Sequence, residues 1–302
     1  NMGRQVATAL SIFNDAISRN AFSAGIDLID LRFMNKVVNH EDRDDHVVIS
    51  IETPDGSYQL KAEYMIACDG ARSPTRQRMN LPFEGQTFEE KFLIVDVEME
   101  ESPFGPGGSD AAERWFWFDP PFHPGQSVLL HREADNVWRI DFQLGWDADP
   151  EAEKKGERVI PRIQAMLGPK AKFELEWVSV YQFACRRIDR FRHGRVLFAG
   201  DAAHQVSPFG ARGANTGVQD ADNLAWKLAF VVKGLASDKL LDSYSVERVA
   251  ATHENLSYGT KSTEFMAPPS FAFDLMRMAV LSLAAKHAGV RSLINPRQSS
   301  AI

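Results

Sequence analysis

Residues 195–228, RVLFAGDAAHQVSPFGARGANTGVQDADNLAWKL, join a short apolar run, an acidic turn, a loop rich in proline and glycine, and a helical pattern into one unit. The run 195–199 has the length of a buried strand, and Gly200-Asp201 ends it. A glycine at that point lets a ligand approach the backbone, and an aspartate accepts hydrogen bonds from sugar-like hydroxyls. The loop that follows is braced by Pro208 and opened by Gly210 and Gly213, and it runs into a helix expected to begin near Ala214 or Asn215. The first N–H groups of a helix have no partner within it and favour negative charge, each such charge being stabilised by roughly 0.3 to 1 kcal/mol. The unit therefore asks for a polyol at Asp201 and an electron-rich ring at Asn215.

This segment resembles the GD motif of the FAD-dependent aromatic hydroxylases, the single-component flavoprotein monooxygenases related to para-hydroxybenzoate, phenol and 3-hydroxyphenylpropionate hydroxylases. The resemblance implies that Gly200 and Asp201 bind the ribityl chain. It implies equally that the Pro-x-Gly-x-x-Gly-x-Asn-x-Gly run from Pro208 to Gly217, with Pro208, Gly210, Gly213, Ala214 and Asn215, wraps the isoalloxazine ring.

A second motif agrees with the first. Residues 64–68 (YMIAC) read as another short strand, followed by Asp69, Gly70, Ala71, Arg72, Ser73, Pro74, Thr75 and Arg76. Asp69 ends a strand, Gly70 turns the chain, and Ser73 with Pro74 opens a helix as cap and first-turn residue. The run resembles the DG motif of the same family, which implies that Asp69, Gly70 and Arg76 lie beside the FAD pyrophosphate and are linked to pyridine nucleotide use. Taken alone, Asp-Gly is a common turn and Arg76 a solvated cation.

The glycine fingerprint G-x-G-x-x-G that opens a dinucleotide-binding fold does not occur near the start of the chain. Residues 5–22 have helical spacing (Val6, Leu10, Phe13, Ile17) and 26–38 read as a strand region. The expected fold class is α/β: a Rossmann-like FAD/NAD(P)-binding domain, N-terminally incomplete, with an inserted antiparallel-sheet substrate domain and C-terminal helices. The expected divisions are 1–87 for the first part of the FAD domain, 88–185 for the substrate domain, 186–235 for the second part, and 236–302 for a helical segment. Without a phosphate loop the ADP half of FAD loses a helix N-terminus, so the chain alone is expected to hold little FAD.

Between the motifs, residues 53–57 (TPDGS) form a hairpin turn joining strands 47–51 and 58–61. Strands are expected at 92–97, 114–118, 127–131 and 137–144, with a Pro/Gly-rich loop at 102–108. Residues 151–167 read as two helices, Pro161 sitting in the first turn of the second, and 173–183 as a closing strand. Alternation puts Trp115 and Trp117 on one side and Phe116 and Phe118 on the other. Any one of these rings is expected first as core. As a set they suggest a ring-accepting pocket, with Trp115, Trp117, Phe142 and Tyr181 as its candidate walls. His123, His131 and Tyr181 are candidate proton-relay groups, and His204 reads as structural.

After the loop, 216–232 is expected to turn Val218, Ala221, Ala225, Leu228, Ala229 and Val232 inward, with Gly234 ending the helix. Leu241, Tyr244, Glu247 and Arg248 follow the family's Leu-x-x-Tyr-x-x-Glu-Arg pattern, in which Glu and Arg are expected as surface pairs. The apolar stretch 271–285 reads as an amphipathic helix at an interface.

The 302 residues are 44% hydrophobic, enough for a core, and 34 basic against 41 acidic residues leave a net charge of −7. That balance argues against a nucleic-acid partner. Arg186, Arg187, Arg190, Arg192 and Arg195 are expected to be solvated. Cys68 and Cys185 offer neither a disulfide framework nor a metal site, and Cys68 is expected in the core. No signal peptide or membrane span is evident, which makes the cytoplasm the expected location. The implied cofactor is FAD with NADH or NADPH as reductant, and the implied partners are O2 and a small aromatic substrate; a homodimer is one expected assembly. The implied reaction is hydroxylation of a phenolic ring. Halogenation or reduction on the same fold, and a non-catalytic interaction module, are the rival readings.

Overall fold

The computed structural model describes residues 30–99, 114–209 and 212–293. In chain order the strands and helices are β1 (Lys36–Asp42), β2 (Val47–Thr53), β3 (Gly56–Ala62), β4 (Met65–Ala67), α1 (Pro74–Arg78), β5 (Glu84–Glu98), β6 (Arg114–Phe118), β7 (Ser127–Arg132) and β8 (Val137–Leu144). They continue with α2 (Pro150–Glu153), α3 (Gly156–Leu167), β9 (Glu174–Arg187), β10 (Arg192–His193), β11 (Val196–Phe198), β12 (His204–Gln205), α4 (Gly213–Val232), α5 (Leu240–Met266) and α6 (Phe271–Lys286). The chain separates into two compact units at 33/34, 88/89 and 182/183, the boundaries falling within or beside β5 and β9.

In the unit holding residues 34–88 and 183–293, β1, β2 and β3 form an antiparallel meander. β2 alternates, with Val47, Ile49 and Ile51 all buried in the core beside β4 and β11. The hairpin closes where it was expected: Thr53 pairs with Gly56, and the Thr53 hydroxyl donates to the Gly56 carbonyl at 2.9 Å. Of the strand expected over 26–38, residues 26–29 lie outside the described ones, and within 30–38 it begins at Lys36, because Met34 has φ 57°, a left-handed turn that an extended strand cannot contain. β4 and β11 pair in parallel, Met65 with Val196 and Ala67 with Phe198, so both motif turns leave the same edge of the pair.

The helical expectations need correction. In α4 the buried residues are Thr216, Asp220, Leu224 and Lys227, whereas Val218, Ala221, Ala225, Ala229 and Val232 are exposed. The inward face carries polar groups because each finds a charged or hydrogen-bonding partner on a neighbouring element, most of them on α5. Arg248 is likewise buried rather than at the surface, and Arg192 is buried where it donates to Asp242 at 3.0 Å and to the Asp238 carbonyl at 2.8 Å. Cys68 is exposed, since it stands beyond the paired length of β4. In α6 the buried positions are Arg277 and Ala284, with Phe271, Leu275 and Met276 outward. No helix among the described residues is long and apolar enough to cross a membrane. The expectations for 5–22, 102–108 and Gly210 fall outside the described residues.

In the unit holding residues 89–182, the sheet runs β9-β5-β8-β7-β6. One face, with Leu93, Val95, Val97, Val128, Leu130, Ile140 and Phe142, forms a core with Val159 and Ile163 of α3. The helix break falls at residues 154–155, and Pro161 lies inside α3 rather than in its first turn. The i, i+4 pair Val159 and Ile163, fully buried, holds the helix across a proline that donates no hydrogen bond.

Gly85 shows how closely β5 and β9 approach. It has φ +137°, and a Cβ there would stand 2.1 Å from the Cys185 carbonyl oxygen and 2.9 Å from the Arg186 Cα. Backbone atoms cannot swing aside as a side chain can. Gly85→Ala is expected to cost about 3–5 kcal/mol, combining backbone strain with overpacking, against about 1–2 kcal/mol for Gly56→Ala, which has the strain alone. Urea unfolding of both variants checks this, and equal midpoints would refute the close approach.

Candidate functional site

The turn after β11 is a short 3-10 helix, Gly200–Ala202. Gly200 has φ +60° with open space where a Cβ would stand. Asp201 is exposed, and within the described residues its carboxylate accepts no hydrogen bond. α4 starts at Gly213 with no side-chain cap on its first turn, and its leading residues Ala214 and Asn215 are exposed. Gly217, one turn into α4, brings the helix against the same turn: a Cβ there would lie 3.6 Å from the Gly200 Cα. Asp201 and Asn215 thus belong to two elements packed directly on one another.

The packing is fixed by one carboxylate. Asp220 is fully buried, and its Oδ2 accepts from the Gly200 N–H at 3.0 Å and meets His204 Nε2 at 2.6 Å. Its Oδ1 accepts from Arg248 Nε at 2.7 Å. Around it, Tyr244 donates to the Phe198 carbonyl at 2.7 Å, and burial holds that hydroxyl well above the ordinary tyrosine range. Lys227 and Asn223 both donate to Glu247 at 2.7 Å, and these bonds keep the Glu247 carboxyl below its ordinary value. Arg212 donates to Asn255 at 2.8 Å, and Asn255 to the Thr216 hydroxyl at 3.1 Å.

The loop between the turn and α4 is gripped from the other side. Ser207 and Thr263, both fully buried, share a hydrogen bond of 2.6 Å, and Phe209 packs edge-on against Phe183 at 5.2 Å. Pro208 stays exposed between these anchors.

The other motif joins the same edge. Asp69 accepts from the Ser73 hydroxyl and from the Thr75 N–H at 2.9 Å, while Ser73 caps α1 by accepting from the Arg76 N–H at 3.0 Å. Burial alone would raise the Asp69 carboxyl, but these bonds outweigh it and hold it below the usual range. Gly70 has φ 80° and makes the turn. Arg76 is not a surface cation: it is buried, lies 3.8 Å over the Phe83 ring, and donates to the Ala202 carbonyl at 2.9 Å and to the Ala71 carbonyl at 2.6 Å. It fastens the first motif to the second.

The donor set suits FAD in the described part. A free, exposed carboxylate suits polyol hydroxyls, an uncapped helix start suits the electron-rich edge of a flavin, and the glycines leave room for close approach. No group of three or more His, Cys, Asp or Glu among the described residues could hold a metal.

In the sheet unit, Trp115, Trp117 and Phe142 lie on the side that packs with α3: Phe142 is fully buried, and Trp117 packs edge-on with Phe122 at 5.7 Å. Tyr181 is exposed beside Trp177, 6.0 Å between rings, and Trp177 receives the Arg139 guanidinium at 5.9 Å. The face opposite α3 is polar. Across it, Arg114, His131, Arg139 and Asp96 form one row, and Phe116, Leu129, Asp141 and Ile94 the next. Arg139 binds Asp96 through two bonds, 2.7 and 2.8 Å, and His131 meets Glu133 at 3.0 Å. Burial lowers His131 and His123, the latter holding the Gln143 carbonyl at 2.7 Å, so both favour the neutral ring. Burial pushes the Asp141 carboxyl up to about 7, with Arg139 opposing. Sequence reasoning singled out neither Asp141 nor Asp220. Their one signal was a charge at a position whose strand or helix neighbours place it inward.

Replacing Asp220 with Ala strands a buried guanidinium and an imidazole. The expected loss is about 3–5 kcal/mol, and a double-mutant cycle with Arg248→Ala should show coupling of about 1 kcal/mol or more. Additive losses in chemical denaturation would mean the pair does not hold the turn.

Against known proteins, the FAD binding domain family matches residues 19–257. The 3-(3-hydroxy-phenyl)propionate/3-hydroxycinnamic acid hydroxylase of Mycolicibacterium smegmatis is 33% identical over 204 residues, 68% of this chain and 34% of that protein. The Escherichia coli protein of the same name is 31% identical over 238 residues, 78% of this chain and 41% of that one. The chain thus spans well under half the length of these curated relatives. Among solved structures, p-nitrophenol 4-monooxygenase PnpA from Pseudomonas putida superposes with a TM-score of 0.71 at 28% identity, covering 87% of this chain and 65% of that one. Aklavinone-11 hydroxylase, in its ternary complex with FAD and aklavinone, gives 0.72 at 27% identity, covering 80% and 45%. With both motif turns at one edge of a parallel strand pair and a family match over most of its length, the chain belongs to the FAD binding domain family of the FAD-dependent aromatic hydroxylases.

Proposed function

We propose that this chain carries the flavin-ring site of an FAD-dependent monooxygenase that hydroxylates a phenolic or related aromatic substrate with NAD(P)H and O2, acting in the cytoplasm where the reductant is available. The observation that carries the reading is the free Asp201 carboxylate on a turn tied by Asp220 to the uncapped start of α4. When bound, FAD supplies the redox chemistry that passes one oxygen atom of O2 to the ring.

The chain's own residues do the placing. Asp201 accepts hydrogen bonds from the ribityl hydroxyls, and the first turn of α4, from Gly213 to Asn215, faces its positive end toward the ring's developing negative charge. Phe209, anchored on Phe183, and Ser207, bonded to Thr263, hold this part of the loop in place, so less ordering is needed there on binding. Gly70 and Arg76 keep the neighbouring turn in register with this one through the Ala202 carbonyl.

Asp201→Ala removes a charged acceptor without touching a structural bond. FAD titration, followed by quenching of flavin fluorescence, is expected to show affinity falling roughly 10- to 100-fold, the range of one or two charge-assisted hydrogen bonds, with the melting temperature unchanged. Equal FAD affinity in both proteins would overturn the assignment of Asp201. For the reaction, substrate-stimulated NAD(P)H oxidation with labelled oxygen entering a phenol is the expected outcome, and halide incorporation or oxidation without oxygen transfer would refute it.

A further inference from the structure

On the side of α5 turned away from Asp220, the helix and the segment 187–190 enclose a cleft of about 680 Å³. Asp242, Ser245, Val246, Val249, Ala250 and His253 recur at spacings of three and four, so they share one face of α5 and line this cleft. Tyr244 and Arg248, which reach the Phe198 carbonyl and Asp220, lie on the other face. The facing wall follows from what its neighbours bury. Ile188 and Phe191 are fully buried, and the Ile188 N–H donates to the Ala203 carbonyl at 2.9 Å, which leaves Arg187, Asp189 and Arg190 to line the cleft. The two walls are tied together, since the Phe191 N–H donates to the Ser245 hydroxyl at 2.9 Å. The cleft is therefore built before any ligand arrives.

Its lining holds a surplus of donors. The Arg190 guanidinium makes no hydrogen bond or ion pair among the described residues, and Arg187 spends one N–H, on the Ile188 carbonyl at 3.0 Å. Ser245 is buried and accepts from Phe191, which leaves its own O–H to donate. The His253 ring also has no partner among the described residues. Of the two carboxylates, Asp242 already accepts from Arg192 at 3.0 Å, and the exposed Asp189 alone does not offset two guanidiniums. Two guanidiniums and a hydroxyl offer more donors than the two oxygens of a carboxylate can take up. A phosphate monoester brings three acceptor oxygens and a charge of about −1.5 to −2, and a planar guanidinium meets it with paired bonds. Val246, Val249 and Ala250 add an apolar surface that suits the body carrying the phosphate.

We propose that this cleft binds a phosphate monoester carried on a flat ring, with Arg187 and Arg190 holding the phosphate, Ser245 donating to it, and Val246, Val249 and Ala250 lying against the ring. None of these residues is assigned to the flavin, so the proposal stands without the monooxygenase reading.

Calorimetry on the full chain tests it with phenyl phosphate and with AMP, which separate a simple aromatic ester from a nucleotide. Inorganic phosphate, benzoate and adenosine serve as controls, and each titration is run with and without saturating FAD. At least one ester is expected to bind about tenfold or more tightly than any control, and equally well whether FAD is present or not. AMP binding alone identifies a nucleotide; phenyl phosphate alone, or both, identifies a ring read only for its flatness. Arg190→Gln is expected to weaken that ester about tenfold or more, and Val246→Glu, which puts a carboxylate into the cleft, to abolish measurable binding. Both residues are exposed, so the melting temperature is expected to stay the same in both variants. The proposal is overturned if neither ester binds, or if Arg190→Gln binds the ester as the wild type does. Esters, phosphate and benzoate binding alike would mean an adventitious ionic patch and overturn it too, as would ester binding that FAD displaces, which places the ligand in the flavin site.

Discussion

A carboxylate buried out of reach of water is stable only when its charge is fully answered, and Asp220 is answered from three directions at once. Gly200 belongs to the turn, His204 to the strand beyond it, and Arg248 to α5, while Asp220 itself lies two turns into α4. Four segments of chain therefore have their relative positions set by the two oxygens of one side chain. Hydrogen bonds to ions are short and directional, so this fixes the angle between the turn and the helix start more tightly than apolar packing could. Asp201 and Asn215, the residues proposed to face the flavin, are exposed, and their placement is set by the buried group behind them.

The Asp-Gly motif is attached by a different device. Arg76 spends its guanidinium on two backbone carbonyls, Ala71 and Ala202, and lies flat on Phe83. A planar fork with fixed donor directions is suited to this, whereas a lysine would offer a point charge and lose the stacking. Because β4 and β11 are parallel neighbours, their following turns already emerge side by side, and Arg76 has only a short gap to span. Ligands of open α/β sheets sit outside the carboxyl ends of such strands, and both Asp-Gly and Gly-Asp stand there.

Local chemistry was legible in the sequence, and tertiary electrostatics was not. The 53–57 turn, the Ser73 cap, the strands at 114–118 and 137–144, and the end of α4 at Gly234 each follow from residue preferences that act within a few positions. The inward face of α4 could not be read this way. Apolar spacing pointed to Val218, Ala225 and Val232, and the helix instead buries Thr216, Asp220 and Lys227, because partners 20 or more residues away in sequence satisfy them. Arg248 read as a surface residue for the same reason. A motif such as Leu-x-x-Tyr-x-x-Glu-Arg says that a charge is wanted at a position without saying what answers it.

Two uses of buried polar groups are visible in one chain. Around Asp220 the Gly200 N–H, His204 Nε2 and Arg248 Nε all meet its two oxygens, which is what a scaffold requires, since a buried charge left unanswered is costly. On the face of the sheet opposite α3, the row beside Asp141 holds the pair Asp96–Arg139 and His131 with its partner Glu133, and the buried Asp141 Oδ1 has no hydrogen-bond partner. If Asp141 served the fold alone, leucine would serve it better, because the opposite face already supplies the core through Val128, Ile140 and Phe142.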